Sequence, residues 1–404
     1  MAGRRGTDGK RLTHTAKARR CGLVMGGAVS AFVAAAAMAT GSAAPAKADF
    51  ESLIDPIIQP LLTSLTDSLS AVDPAAALDI TSWTDSLLSS LGSVDLALPS
   101  VAEPAAAAAS SAVDSAASTG GTIPLSVVEG TEPAVNASIA GGSSVPLLVD
   151  TGSGGLVVPE SDLGVSNLWQ LFLQDGMPSS FGSSGYSGGV DYIYLTYNSL
   201  PVAYDGGLTT TGPVDVEVYS WDPSNFGSLF TNDAFQNFLT GNGVSGILGI
   251  GENTAGPTTS PFESFGNVTV DVPGKELIVG GTPVTGTTLS GAPISTDYIS
   301  IDGGALQAVS NDVDSGGVTG TIPSSLLTSS EYNSTTDLVN PGTTIAVYAD
   351  KAGTEELYSY TVTAANDPYV VSGSTMDSGV EPFLLGPISM TYTPAGTGTT
   401  IFGG

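Results

Sequence analysis

The sequence predicts an all-β protein built from two related lobes. Three observations carry that prediction. One pattern occurs twice: Leu147-Leu-Val-Asp150-Thr-Gly-Ser-Gly-Gly-Leu-Val-Val-Pro159 and Val309-Ser-Asn-Asp-Val-Asp314-Ser-Gly-Gly-Val-Thr-Gly-Thr-Ile-Pro323. In both copies an Asp follows a segment containing apolar residues and a Pro comes nine residues later. Self-similarity of this kind implies related halves. From Thr122 onward, short runs rich in Val, Ile, Thr and Tyr alternate with Gly, Pro, Asn and Ser turns, the texture of strands and tight connections. That stretch, residues 122–404, is too long for one simple sandwich.

Taken in chain order, residues 1–48 read as a secretory signal. Seven Arg and Lys residues lie between Arg4 and Arg20, an apolar stretch runs from Gly22 to Ala39, and Ala46-Lys47-Ala48 has the small-x-small form of a cleavage site. The alternative is an uncleaved anchor, since Cys21 to Ala39 is nearly long enough to span a bilayer. Residues 49–121 have a different composition. Leu61, Leu62, Leu65 and Leu69 share one helical face after Pro60, and Thr81 to Gly92 reads as a second short helix stopped by Gly. An Ala/Ser-rich linker with scattered Pro follows. This segment is either a module that attaches to an envelope or protein partner, or a spacer. Residues 122–404 form the β domain, with lobes at about 122–285 and 286–404. Its strands include 192–197, 214–219, 267–272, 276–279 and 344–348.

Composition limits the chemistry. The chain has one His (His14) and one Cys (Cys21), both inside residues 1–48. Once that segment is removed, Ser-His-Asp and Cys-His catalysis and metal binding through imidazole or thiolate are excluded. Carboxylates remain as the main acid/base groups. Eight of the ten Lys and Arg also lie there, which leaves Lys275 and Lys351 against 38 acids, a net charge of −36. No basic patch can form, so nucleic acid is excluded as a partner. The acidic surface serves solubility, tolerance of acidic surroundings, or both.

Two half-sites that each supply one carboxylate build a two-Asp site. On these motifs residues 122–404 resemble the pepsin-like aspartic proteases, most closely the protease domains of mycobacterial cell-surface proteins of the PE/PGRS group. In that family each Asp loop is threaded by an apolar-apolar-Gly segment of the same lobe. Ile247-Leu248-Gly249 fits for Asp150, and Phe383-Leu384-Leu385-Gly386 is the expected partner for Asp314. Ala134 to Val149 resembles the opening hairpin, and Glu276-Leu-Ile-Val-Gly-Gly281 the strand pair before the second half-site. A third Asp-Ser-Gly, at Asp377, is expected to be a surface turn.

The resemblance implies a secreted or cell-surface aspartic endopeptidase with Asp150 and Asp314 as the catalytic pair and no metal or other cofactor. It also implies a polypeptide substrate lying extended between the lobes. A catalytically weak or inactive binding module of the envelope is the alternative. Thr151 and Ser315 would cross-link the two loops, and Gly152 and Gly316 would allow the close approach. Ser153 would hydrogen-bond the outer oxygen of its Asp. Its counterpart is Gly317, so the second Asp is expected to lack that bond. Tyr204, in Tyr204-Asp-Gly-Gly207, is the candidate for the flap tyrosine, with Tyr186, Tyr192, Tyr194 and Tyr197 as rivals. The Trp that often supports such a Tyr is replaced by Val157.

Overall fold

A computed structural model describes residues 120–403, apart from 166–167, 187–188, 226 and 229–230. The expected signal (1–48) and nearly all of the 49–121 segment fall outside the described residues. Strands dominate what remains, as the resemblance implies. Among the described residues they form a 13-stranded and a 9-stranded sheet.

The Asp motifs generate one local design twice. In the first lobe a dyad strand, Val145–Asp150, leads into the motif and a return strand, Gly154–Pro159, leads out. A threading strand, Gly246–Ile250, lies between them, parallel to the dyad strand (Asp150 opposite Gly249) and antiparallel to the return strand (Val157 opposite Ile247). In the second lobe the dyad strand is Gln307–Asp312 and the return strand Thr321–Pro323. The strand between them is Thr375–Asp377, parallel to the first (Asp312 opposite Asp377) and antiparallel to the second (Thr321 opposite Asp377). Thr321 lies seven residues after Asp314, as Val157 does after Asp150. The registers therefore superimpose: Asp377 corresponds to Ile247, Gly379 to Gly249, and Asp312 to Leu148.

This corrects two expectations. Asp377 is not a surface turn. It ends the threading strand of the second lobe and is only partly exposed. Phe383–Gly386 does not thread that loop. Residues Glu381–Leu385 form a short helix instead, with Pro382 in its first turn, where the fixed φ of Pro suits a helix and its missing N–H costs nothing. Only Phe383 of the apolar run is buried, while Leu384 and Leu385 are 37% and 56% exposed.

Alternation along the strands separates two faces. Leu147 and Val149 join the main core, with Leu156, Val158 and Leu248. Leu148, Val157 and Ile247 face the other way, into a second cluster with Val190, Tyr192, Phe235 and Leu239. That cluster is roofed by the hairpin Val190–Tyr204/Thr209–Trp221 and the helix Ala234–Gly241. Tyr186 stacks on Tyr192, Phe235 and Phe238 there, with ring centroids 5.6, 6.3 and 5.9 Å apart. The C-terminal strands Ile388–Thr391 and Thr399–Gly403 join, through Asn267–Asp271, the sheet that also carries the first Asp motif.

Candidate active site

Reciprocal hydrogen bonds clamp the two Asp loops together. The amide of Thr151 donates to Ser315 Oγ at 3.1 Å, and the amide of Ser315 donates to Thr151 Oγ1 at 2.8 Å. Each hydroxyl then donates across the interface to the carbonyl just before the opposite Asp: Thr151 Oγ1 to Val313 O and Ser315 Oγ to Val149 O, both 2.6 Å. Thr151 and Ser315 are fully buried. Their hydroxyls are satisfied only in this paired arrangement, so the clamp fixes the loops' mutual position as well as holding them together.

The clamp presses Asp150 and Asp314 to within hydrogen-bonding reach of each other. A Cβ at Gly152 would collide with the Asp314 carboxyl, and one at Gly316 would lie 2.9 Å from Asp150 Cγ. These glycines are required by close approach. They also donate: the amides of Gly152 and Gly316 bond Asp314 Oδ1 at 3.0 and 2.8 Å. Ser153 Oγ donates to Asp150 Oδ2 at 2.6 Å. Asp314 N donates to Ser378 Oγ at 3.0 Å, which anchors the second Asp to its threading segment.

The surroundings of the two carboxyls differ. Burial raises the pKa of both. For Asp150, hydrogen bonds from Ser153, Asp314 and the Gly152 and Ser153 amides pull back towards the charged form. Asp314 is pushed well above the usual carboxylate range, by burial first and then by the negative charges of Asp150, Asp377 and Asp312. The pair titrates as a unit, and this asymmetry favours the ionised form on Asp150 and the proton on Asp314.

Three further carboxyl groups belong to this neighbourhood, and the sequence reading assigned none of them to the site. Burial and Asp150 raise Glu132 to about 7. Burial, then Asp377 and Asp150, raise Asp312 to about 8. Burial, then Asp150, raise Asp377 to about 7, against a hydrogen bond from the Gly379 amide. The sequence did hold a signal for two of them: an Asp at the second position before the motif Asp, and another at the second position before a Gly, each where the first lobe has Leu148 or Ile247. Gly317 does lack a hydroxyl, as expected, but the space is not vacant. A Cβ there would collide with Asp377 Oδ1, so the Asp377 carboxylate occupies the ground that a side chain at 317 would take.

Tyr204 ends a long strand of the first lobe, just before the turn Asp205–Leu208 that joins it to Thr209–Trp221. Its side chain is buried against Phe262, centroids 5.4 Å apart, with the hydroxyl beside Thr210. Gly206 and Gly207 form the tip with φ of 87° and 94°, values that side-chain-bearing residues rarely adopt. Among the rivals, Tyr186 and Tyr192 belong to the aromatic cluster of the first lobe.

Comparison with known proteins identifies the family. The description of the PE-PGRS C-terminal aspartyl peptidase-like domain matches residues 121–400. The protein named PE cleavage protein A from Mycobacterium tuberculosis (strain CDC 1551 / Oshkosh) is 37% identical over 302 residues, covering 70% of this chain and 52% of that protein. Its namesake from Mycobacterium marinum is 39% identical over 301 residues, again covering 70% and 52%. The chain thus spans about half the length of the curated relatives it matches. With two Asp loops clamped face to face in an all-β frame, and with residues 121–400 matched throughout, this chain belongs to the family of PE-PGRS C-terminal aspartyl peptidase-like domains.

Proposed function

We propose that this protein is a secreted or cell-surface aspartic endopeptidase in which Asp150 and Asp314 activate water against a peptide bond. The observation that carries the reading is the clamped pair itself, with Ser153 donating to Asp150 and further acidic groups set around Asp314. A water held between them loses a proton to ionised Asp150 as its oxygen bonds to the scissile carbonyl carbon. Asp314 gives its proton to the carbonyl oxygen, and a neutral tetrahedral diol results. Collapse returns a proton to the leaving nitrogen and breaks the C–N bond. No covalent enzyme intermediate and no cofactor is needed.

The substrate is a polypeptide lying extended between the lobes. The relatives' printed name, PE cleavage protein A, suggests proteins of the PE type as substrates here as well. Residues 1–48 would direct export and 49–121 would bind an envelope or protein partner.

The test is mass spectrometry of a mixed peptide library incubated at several pH values with the wild type, Asp150→Asn and Asp314→Asn. Cleavage by the wild type alone supports the reading. No cleavage by any of the three, with the wild type folded, favours a binding module on the same scaffold.

A further inference from the structure

The two lobes share a backbone design but not the residues beneath it. In the first lobe, Leu148 and Ile247 sit side by side in register and are closed over by an aromatic cluster. In the second lobe the same two register positions hold Asp312 and Asp377, both partly exposed. By strand alternation they share the face of Asp314, which lies two residues beyond Asp312. The Asp377 carboxylate also fills the side-chain space of Gly317, the position equivalent to Ser153. An uncharged hydroxyl serves Asp150 in one lobe; a carboxylate stands beside Asp314 in the other.

We propose that Asp377 is a positioning residue of the dyad: paired with Asp312 and seated in the side-chain space of Gly317, it acts through Asp314 to keep the shared proton on that member of the pair. The inference rests on the dyad reading above. Its physical basis is charge proximity, because a carboxylate beside another carboxyl disfavours ionisation of its neighbour.

Titratable groups face Asp377 from several packed elements. They are Asp312 on the parallel strand, Asp314 and Asp150 on the dyad loops, Tyr358 and Tyr360 on the strand Glu356–Thr361, and, beyond Tyr360, Glu381 on the short helix. The return strand contributes neutral Thr321. Residues 120–403 contain only two cationic side chains, Lys275 and Lys351, both on turns, and neither is among the charges that act on Asp312, Asp314 or Asp377. Nothing cationic among the described residues therefore offsets the negative field.

Ser153 favours the ionised form of Asp150. Asp377 is raised to about 7, and once ionised its charge opposes loss of the proton from Asp314. The catalytic form, with Asp150 charged and Asp314 protonated, thus survives towards neutral pH. A hydroxyl at 317 would have the opposite effect, since it would donate to the charged form. Asp377 does not touch the reacting atoms, so it should shape the pH profile more than the maximal rate.

The experiment is the pH profile of kcat/KM for the wild type, Asp377→Asn and Asp312→Asn. Asn keeps the shape and an acceptor for the Gly379 amide while removing the charge. The expected result is that the alkaline limb moves to lower pH by about one unit in Asp377→Asn, and in the same direction in Asp312→Asn, with the plateau rate changed less than about threefold. An alkaline limb unmoved or raised in folded Asp377→Asn would overturn the proposal. If that variant does not fold, 13C NMR titration of the Asp carboxyls in the wild-type protein decides: a carboxyl titrating near neutrality ahead of the last one supports the proposal, and four independent titrations near the ordinary Asp value refute it. The same titration separates this idea from the dyad reading, because it needs no substrate. A wild type that cleaves nothing yet shows the coupled titration would defeat the enzyme and leave the coupling standing.

Discussion

The first lobe closes the flank of its Asp with hydrophobic packing, whereas the second lobe leaves that flank acidic and partly open. The dyad strands differ at Leu148 against Asp312 and the threading strands at Ile247 against Asp377, although their registers coincide. Supporting hydroxyls differ in the same sense, with Ser153 in one lobe and Gly317 in the other. A duplicated frame can thus hold two chemically identical carboxyls and give them opposite roles. Both accept hydrogen bonds, Asp150 from the Ser153 hydroxyl and Asp314 from the Gly152 and Gly316 amides; the difference is the negative charge around Asp314, which holds its proton. The clamp between Thr151 and Ser315 is the part that stays symmetric, because its task is to fix distance.

Breaking either half of that division should have the largest effect. Asp150→Asn and Asp314→Asn are each expected to lower kcat by at least about a thousandfold without lowering the melting temperature, as read by peptide hydrolysis and calorimetry. Removing one of two like-charged buried carboxylates also relieves repulsion, so either variant should melt at or above the wild type near neutral pH. The sign follows from the raised pKa values of both groups: their burial costs stability once the pH is high enough to ionise them.

The symmetric element comes next. Thr151→Ala and Ser315→Ala each strand a buried amide and a buried carbonyl, which should cost about 1–3 kcal/mol per variant. Equal costs in denaturant unfolding, with activity lost in both, would sharpen the comparison. A marked inequality would show that the clamp is not shared evenly between the lobes.

A smaller and signed effect is expected at Ser153. Its hydroxyl favours ionised Asp150, so Ser153→Ala raises that pKa. The acid limb of kcat/KM should move to higher pH by up to about one unit, while the alkaline limb stays. A shift of the alkaline limb alone would reverse the assignment of roles. The smallest effect is expected from deletion of residues 1–119, after which the β domain should still fold and cleave peptide with kcat/KM within about threefold, because it carries its own core.

Much of this was legible in the sequence. The paired Asp-Thr/Ser-Gly motifs, their common nine-residue spacing to Pro159 and Pro323, and the β texture follow from repetition and periodicity, which a single chain displays directly. The residues of the clamp, Thr151 and Ser315, were legible through the family resemblance, since each follows a motif Asp. The second threading segment was not, because apolar-apolar-Gly describes what a buried strand usually needs, and the second lobe breaks that rule with Asp377-Ser378-Gly379. The nearby Phe383-Leu384-Leu385-Gly386 met the rule by composition but follows Pro382 and forms a helix. Buried acids run against the expectation from hydrophobicity, so only the strand register reveals them. The packing of Tyr204 on Phe262 depends on a residue 58 positions away in the chain, a contact that no local pattern encodes.

The most direct test of the central claim, that Asp150 and Asp314 form one proton-sharing pair, is the pH dependence of binding of a statine peptide, which mimics the tetrahedral diol. Calorimetry would give Kd across the pH range for the wild type, Asp150→Asn and Asp314→Asn. The account predicts tightest binding where the pair holds one proton, weakening on both sides of that window, and a loss of at least about a hundredfold in either variant. Binding that ignores pH, or that is equally tight in the Asn variants, would contradict it.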